Sequence, residues 1–292
     1  MTLPRIGVFD SGVGGLTVLR AMAEQMPAHY LYFGDTARLP YGTKSAETVA
    51  RYAIGAARFL ESQNIDLLVI ACNTATALAL PQIKQAARVP VIGVVEPGAA
   101  MAAEVSQSRA AIVIATEATV SSHAYRDALR QHGLEAHEKA CPLFVPLVEE
   151  GWIDHPVTEQ VARIYLGEAM AQSSDTADVL VLACTHYPLI APLLRRITPE
   201  RVKIVDSAES TARVVRGLVQ SNQSMSVILS GATAGSAVEG PLSSRRTLAS
   251  PAISDHRSFR FFVTDSVDKF KRLATRFLGR QVDNVEHVDL GG

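Results

Sequence analysis

The sequence predicts an α/β protein of two pseudo-symmetric lobes, each built on a mainly parallel sheet, with the active site in the cleft between them. Three observations carry this. Short apolar runs alternate with amphipathic helical stretches, as expected when parallel strands are joined by helices. The run Val69-Ile70-Ala71-Cys72-Asn73-Thr74 is echoed 112 positions later by Val181-Leu182-Ala183-Cys184-Thr185-His186. Ile6-Gly7-Val8-Phe9-Asp10-Ser11 is echoed more weakly by Ile112-Val113-Ile114-Ala115-Thr116. Buried strands resemble one another, since all are rich in Val and Ile. The repeated Ala-Cys step with its polar, Thr-containing continuation is the firmer sign of two related lobes.

The elements follow in order. Ile6 to Phe9 reads as a strand, Leu16 to Met26 as a helix and Tyr30 to Phe33 as a second strand. Ser45 to Glu61 is the clearest early helix. Ser45 caps it, Glu47 sits in the first turn, and Val49, Tyr52, Ala53, Ala56, Phe59 and Leu60 recur at helical spacing. Asp66 to Ala71 (strand), Ala75 to Ala87 (helix) and Pro90 to Val95 (strand) complete the first series. The second series holds strands at 110–114, Val179 to Ala183 and Val202 to Val205. Val227 to Leu229 and Phe259 to Val263 read as the last strands, followed by a helix through Val267, Phe270, Leu273, Ala274, Phe277 and Leu278. Between them Ser230 to Ser258, rich in Gly, Ala and Ser, reads as a long surface loop. Crossings between lobes are expected near Glu96-Pro97-Gly98 and Asp206-Ser207. The expected division is 1–96 plus 209–292 for the first lobe and 97–208 for the second.

Composition narrows the function. The 292 residues allow two domains, and 48% are hydrophobic, enough for a sizeable core. Lys and Arg number 28 against 29 Asp and Glu, a net charge of −1. That balance gives no electrostatic reason to expect nucleic acid or an anionic membrane. The start, Met1-Thr2-Leu3-Pro4-Arg5, shows no secretory signal, and no apolar run approaches the roughly 20 residues that span a bilayer. Three cysteines, an odd number, do not make a disulfide framework. The expectation is a soluble protein of a reducing cytoplasm, open to pairing as a homodimer.

Cys72 and Cys184 carry the chemistry. Each ends a strand, just before a polar turn and a helix, where ligands of open α/β sheets bind. A helix N-terminus there favours a thiolate. A lone cysteine at a strand end more often packs as a small hydrophobe. Two in matched contexts argue for function. A pair of sulfurs flanking one cleft suits removal of a weakly acidic α-hydrogen and its return on the opposite face. Either thiol then serves as acid or base. Cys141, in Lys139-Ala140-Cys141-Pro142, has no such context and reads as structural.

Two further groups stand near. Asp10-Ser11-Gly12-Val13-Gly14-Gly15 follows the first strand, where glycines let backbone amides approach an anion. Asp10 is placed to bind an ammonium or orient a proton carrier. The rival is a dinucleotide fingerprint, with Gly12-x-Gly14 after a strand and Asp35 23 positions beyond Gly12. Thr17 occupies its third glycine position, and Asp10 puts charge where pyrophosphate would lie. His186, two residues after Cys184, is placed to polarise Cys184 or a substrate. Neither cysteine has a second ligand at zinc spacing, so no metal is expected.

Together these motifs resemble the glutamate racemases of the aspartate/glutamate racemase family over nearly the full length. The carrying segments are GVFDSGVGGLTVL (7–19), YFGDTARLPYGTKS (32–45), ACNTATA (71–77), GVVEPG (93–98), FVPLVEEG (144–151) and LACTHYPLI (182–190). The resemblance implies interconversion of L- and D-glutamate without pyridoxal phosphate, metal or nucleotide, supplying D-glutamate for peptidoglycan. It implies that Cys72 serves one face of the substrate and Cys184 the other, with Asp10 assisting Cys72 and His186 assisting Cys184. Asp10, Ser11, Tyr41, Gly42, Asn73, Thr74, Thr185 and His186 would hold the substrate. Glu149 matches a further acidic group of the family's site. Glu117, in Ala115-Thr116-Glu117-Ala118-Thr119, stands where the family's Thr-rich turn has a neutral residue. Aspartate racemase is the alternative activity, although that group usually has Glu where this chain has His186. A non-catalytic regulatory protein on the same fold is the alternative class.

Racemisation of glutamate is expected in both directions with no added cofactor. Exhaustive dialysis against a chelator should leave turnover unchanged, and a requirement for pyridoxal phosphate or metal would refute the reading.

Overall fold

A computed structural model describes residues 3–173, 176–231 and 257–291. The first lobe's elements open with β1 (Arg5–Asp10), α1 (Leu16–Gln25), β2 (His29–Gly34), α2 (Ala46–Ser62), β3 (Leu67–Ile70), α3 (Asn73–Ala86) and β4 (Val91–Gly93). Next come α4 (Val95–Val105), β5 (Ala110–Ala115), α5 (Glu117–Ser121), α6 (Ala124–Gln131), β6 (Glu135–Ala140), α7 (Phe144–Glu149), α8 (Pro156–Gln172), β7 (Val179–Ala183), α9 (Ala191–Ile197) and β8 (Lys203–Asp206). The chain closes with α10 (Ser207–Gly231), β9 (Ser258–Val263), α11 (Val267–Leu278) and β10 (Val285–His287).

One sheet has the order β10-β9-β2-β1-β3-β4 and the other β6-β5-β7-β8. Every strand pair among the described residues is parallel. The run β2-β1-β3-β4 has the same order as β6-β5-β7-β8, so the duplicated sequence is a duplicated topology. Register fixes the weaker echo. Phe9 pairs with Ile70, and Ile114 with Leu182. Ser11 and Thr116 therefore occupy equivalent places one step beyond their strands. No helix among the described residues is long and apolar enough to cross a membrane.

Local chemistry explains the elements that aim the site. In α2, the Ser45 hydroxyl accepts from the Thr48 N–H at 3.3 Å, and Val49, Ala53, Ala56, Ala57 and Leu60 form its buried face. α3 starts at Asn73, two residues before the expected position, because Cys72 itself is the cap. Its sulfur accepts from the Ala75 N–H at 3.4 Å. Cys184 leads into a short 3-10 turn, Tyr187–Ile190, before α9. One continuous apolar core joins β1 and β2 to β5 and β7 through α1 and α11.

Several expectations are corrected. Val227 to Leu229, read as a strand, continues α10, since periodicity in three apolar residues does not separate the two states. The strand expected over Pro90 to Val95 stops at Gly93, and Val95 opens α4 with Pro97 in its first turn. β6, with the sequence EAHEKA, was not anticipated, because it is an edge strand whose charged side chains stay partly exposed. Most of the expected loop, residues 232–256, lies outside the described residues.

The lobes meet at the turn after β1. The Thr17 hydroxyl lies 2.9 Å from both the Gly14 and Thr185 carbonyl oxygens. A Cβ on Gly14 would fall 2.6 Å from His186 Nδ1. Only glycine permits this approach. Gly14→Ala should therefore force the lobes apart, at a cost of about 1–3 kcal/mol for overpacking. Calorimetry should show a thermal midpoint lower by several degrees, about 2–4 °C per kcal/mol for chains near this size. An unchanged midpoint would refute the contact's importance.

Candidate active site

The carboxyl ends of both sheets open onto a cavity of about 460 Å³. Of the residues expected at the site, Ser11, Tyr41, Gly42, Cys72, Asn73 and Thr74 line it from the first lobe. Glu149, Cys184, Thr185 and His186 line it from the second. Both sulfurs are free and buried. Asp10 is the exception among the expected residues. It is buried behind the wall and does not line the cavity.

The position of Asp10 revises the reading of the glycine turn. Asp10 Oδ2 accepts from the Gly12 N–H at 2.8 Å, while Oδ1 has no partner among the described residues. The anion held by this turn is thus the protein's own carboxylate. Burial nevertheless pushes the Asp10 carboxyl above the usual range, against the Gly12 hydrogen bond and the nearby His186. Asp35 is also accounted for. It is fully buried, accepts from Arg38 Nε and the Thr264 hydroxyl at 2.9 Å each, and takes the Tyr41 hydroxyl at 2.5 Å. An acid so enclosed anchors the Tyr41 loop and is not placed for a ribose.

The two thiols have different supports. Cys72 Sγ lies 3.5 Å from the Ser11 hydroxyl. Cys184 Sγ lies 4.0 Å from His186 Nδ1, and His186 Nε2 lies 3.2 Å from Glu149 Oε1. The hydrogen bond from His186 holds the Glu149 carboxyl below its usual range against burial. Glu149 is placed to accept from the Nε2–H of His186, and in that tautomer Nδ1 is the nitrogen that faces Cys184. That arrangement is set to accept a proton from the thiol.

Burial opposes the pull of the strand-end positions toward a thiolate. Desolvation first, and then the Asp10 charge, push the Cys72 thiol up to about 11, outweighing the Ser11 and Ala75 donors. Desolvation pushes Cys184 higher still, helped by Cys72 and Asp10. Cys184 thus feels the Cys72 charge across the cavity, and burial holds both thiols protonated at neutral pH.

Donors for a dicarboxylate ring the cavity. Thr74 Oγ1 lies 3.0 Å from Thr116 Oγ1 and 3.3 Å from Thr119 Oγ1, linking the lobes. Asn73 donates to the Ser207 hydroxyl at 3.2 Å and accepts from the Tyr125 hydroxyl at 2.7 Å, so its amide plane is fixed. Thr116, Glu117 and Lys269 also line the cavity and were not named from sequence as site residues. Thr116 was findable from the echo, as the counterpart of Ser11. Lys269 had no sequence signal, since it enters from α11.

These features place the chain in a known class. It belongs to the Asp/Glu/Hydantoin racemase family, whose sequence model matches residues 6–215. It is 59% identical to the glutamate racemase of Koribacter versatilis (strain Ellin345), covering 99% of this chain and 98% of that protein. It is 44% identical to the glutamate racemase of Geobacter metallireducens, over 98% and 96% of the two chains. Among solved structures, the glutamate racemase of Francisella tularensis in complex with D-glutamate superposes with a TM-score of 0.80 at 31% identity, covering 99% of each chain.

The raised Cys72 thiol gives a pH test. Its folded value lies above the unfolded value of 9.0, so the proton stays on as pH rises through neutrality. Alkylation of the ligand-free protein by iodoacetamide should be slow at pH 7. It should accelerate about tenfold per pH unit through the alkaline range and level off near 11. A plateau already reached below pH 8 would show a thiolate at rest and refute the assignment.

Proposed function

We propose that the protein interconverts L-glutamate and D-glutamate by proton transfer between the α-carbon and two thiols. The observation that carries this is the pair of buried, strand-end cysteines contributed to one cavity by two matched lobes. The naming of the full-length relatives supports glutamate as the substrate.

The geometry supports the following mechanism. An α-hydrogen is a very weak acid, so its removal needs a base held against it with water excluded. Cys72 takes or gives the proton on one face and Cys184 on the other. In each direction one sulfur acts as thiolate base and the other as thiol acid, and their roles swap for the reverse reaction. The proton leaves Cys72 toward the unpartnered oxygen of Asp10, and leaves Cys184 toward His186 Nδ1, whose ring Glu149 holds. Ser11, Tyr41, Gly42, Asn73, Thr74 and Thr185 supply donors for the two carboxylates. These become most valuable as charge develops on the carboxylate next to the carbanion. The lobes run 1–96 with 209–292, and 97–208, in this reading. The product serves peptidoglycan synthesis in the cytoplasm, with the homodimer as a partner state.

Two sulfurs on two faces predict an isotopic asymmetry. In deuterated water, early product should carry deuterium at the α-carbon while unreacted substrate carries little. Cys72→Ser and Cys184→Ser should each lose racemisation by at least the roughly 10²–10⁴-fold typical of a general acid or base, since serine ionises far above neutral pH. Each variant should still eliminate a leaving group from a substrate analogue of one hand only, and the hands should be opposite. A Cys184→Ser protein racemising near the normal rate would end this assignment.

A further inference from the structure

The pair Glu149 and His186 lies beside the four-stranded sheet, yet its outer contacts come from α11, beside the six-stranded one. Lys269 Nζ stands 3.7 Å from Glu149 Oε2 at the cavity edge. Arg276 lies seven residues on, about two turns, and so on the same stripe of the helix. Its Nη1 donates to the carbonyls of Val148 at 3.0 Å and of Glu149 itself at 2.7 Å. The following turn makes room for the guanidinium. Gly151 sits at φ +87°, and a Cβ there would fall 2.6 Å from Arg276 Nη2. Phe277 sets its ring edge-on to His186 at 5.0 Å.

The helix that carries these groups is itself fixed. Phe270, Leu273, Ala274 and Phe277 are buried in the core. Its approach is tied to the opposite wall of the cavity, because Thr264 donates to Asp35, which holds Tyr41. The Asp265 N–H also bonds the Thr36 hydroxyl at 2.9 Å. One segment, residues 264–277, thus touches the Tyr41 wall at one end and the Glu149–His186 wall at the other.

We propose that Arg276 and Lys269 are positioning residues for proton transfer at Cys184. Arg276 fixes the end of α7 and with it the aim of Glu149. Lys269 holds the second Glu149 oxygen, leaving the first to His186. The inference rests on the reading that Cys184 serves one face of glutamate.

The test exploits a thermodynamic constraint. Enantiomers have equal free energy, so any variant must lose kcat/KM equally in both directions. A merely structural loss therefore looks the same in rates. The primary isotope effects on kcat/KM, measured separately with 2-deuterated L- and D-glutamate, do not share that constraint. Slower transfer at Cys184 should enlarge the effect for the enantiomer whose hydrogen Cys184 removes and shrink it toward one for the other. Arg276→Gln should lower kcat/KM by at least about tenfold with this skew, the scale expected when a reacting group is misplaced by a fraction of an ångström. Lys269→Gln, at an exposed position, should skew the effects in the same sense with a smaller loss, and Arg276→Lys should recover part of the rate. Loss of kcat/KM with both isotope effects unchanged would overturn the proposal, as would wild-type kinetics in Arg276→Gln. If Arg276→Gln does not fold, the skew or its absence in Lys269→Gln decides. A wild-type protein that does not racemise glutamate would remove the functional reading, and this inference with it.

Discussion

The contact on which the rest depends is the seating of Gly14 against Thr185 and His186. Two parallel sheets each carry a cysteine at a strand end, and nothing within either sheet brings the sulfurs together. The turn after β1 does so. It has no side chain at the point of closest approach, and Thr17 ties it to the Thr185 carbonyl. The same turn wraps the Asp10 carboxylate with its own amide, so the charge that acts on Cys72 is set by the contact that joins the lobes.

That closeness has an electrostatic consequence. A thiol buried near a carboxylate resists ionisation, and both cysteines are held protonated in this way, Cys184 with Cys72 as a further cause. Such a site is protected from adventitious alkylation and oxidation, which need the thiolate.

The scaffold is symmetric but its supports are not. Ser11 and Thr116 are equivalent by register, as are the two cysteines. Cys72 caps a regular helix and faces a buried carboxylate. Cys184 enters a 3-10 turn and faces a histidine steadied by a glutamate. The two enantiomers of a substrate present mirror-related demands to a protein made only of L-residues. Equivalent strand ends with unlike helpers meet those demands without requiring the lobes to be mirror images.

The sequence by itself determined the alternating architecture, the duplication and the two sulfurs. Each is written locally: strand ends are short apolar runs stopped by polar turns, and Ala-Cys-Asn-Thr and Ala-Cys-Thr-His lie wholly within such stops. The edge strand β6 escaped because a half-exposed strand tolerates charge, and Val227 to Leu229 misled because three apolar residues carry no period. Only the tertiary structure decided the rest. Asp35 became an anchor because Arg38, Tyr41 and Thr264 converge on it from separate segments. Lys269 reached the cavity and Arg276 the end of α7 from a helix more than a hundred residues away in the chain. The protonation of the cysteines was decided there too, because ionisation responds to desolvation and to charges brought near by the fold, Asp10 at Cys72 and both Cys72 and Asp10 at Cys184. Neither is a property of residues adjacent in sequence.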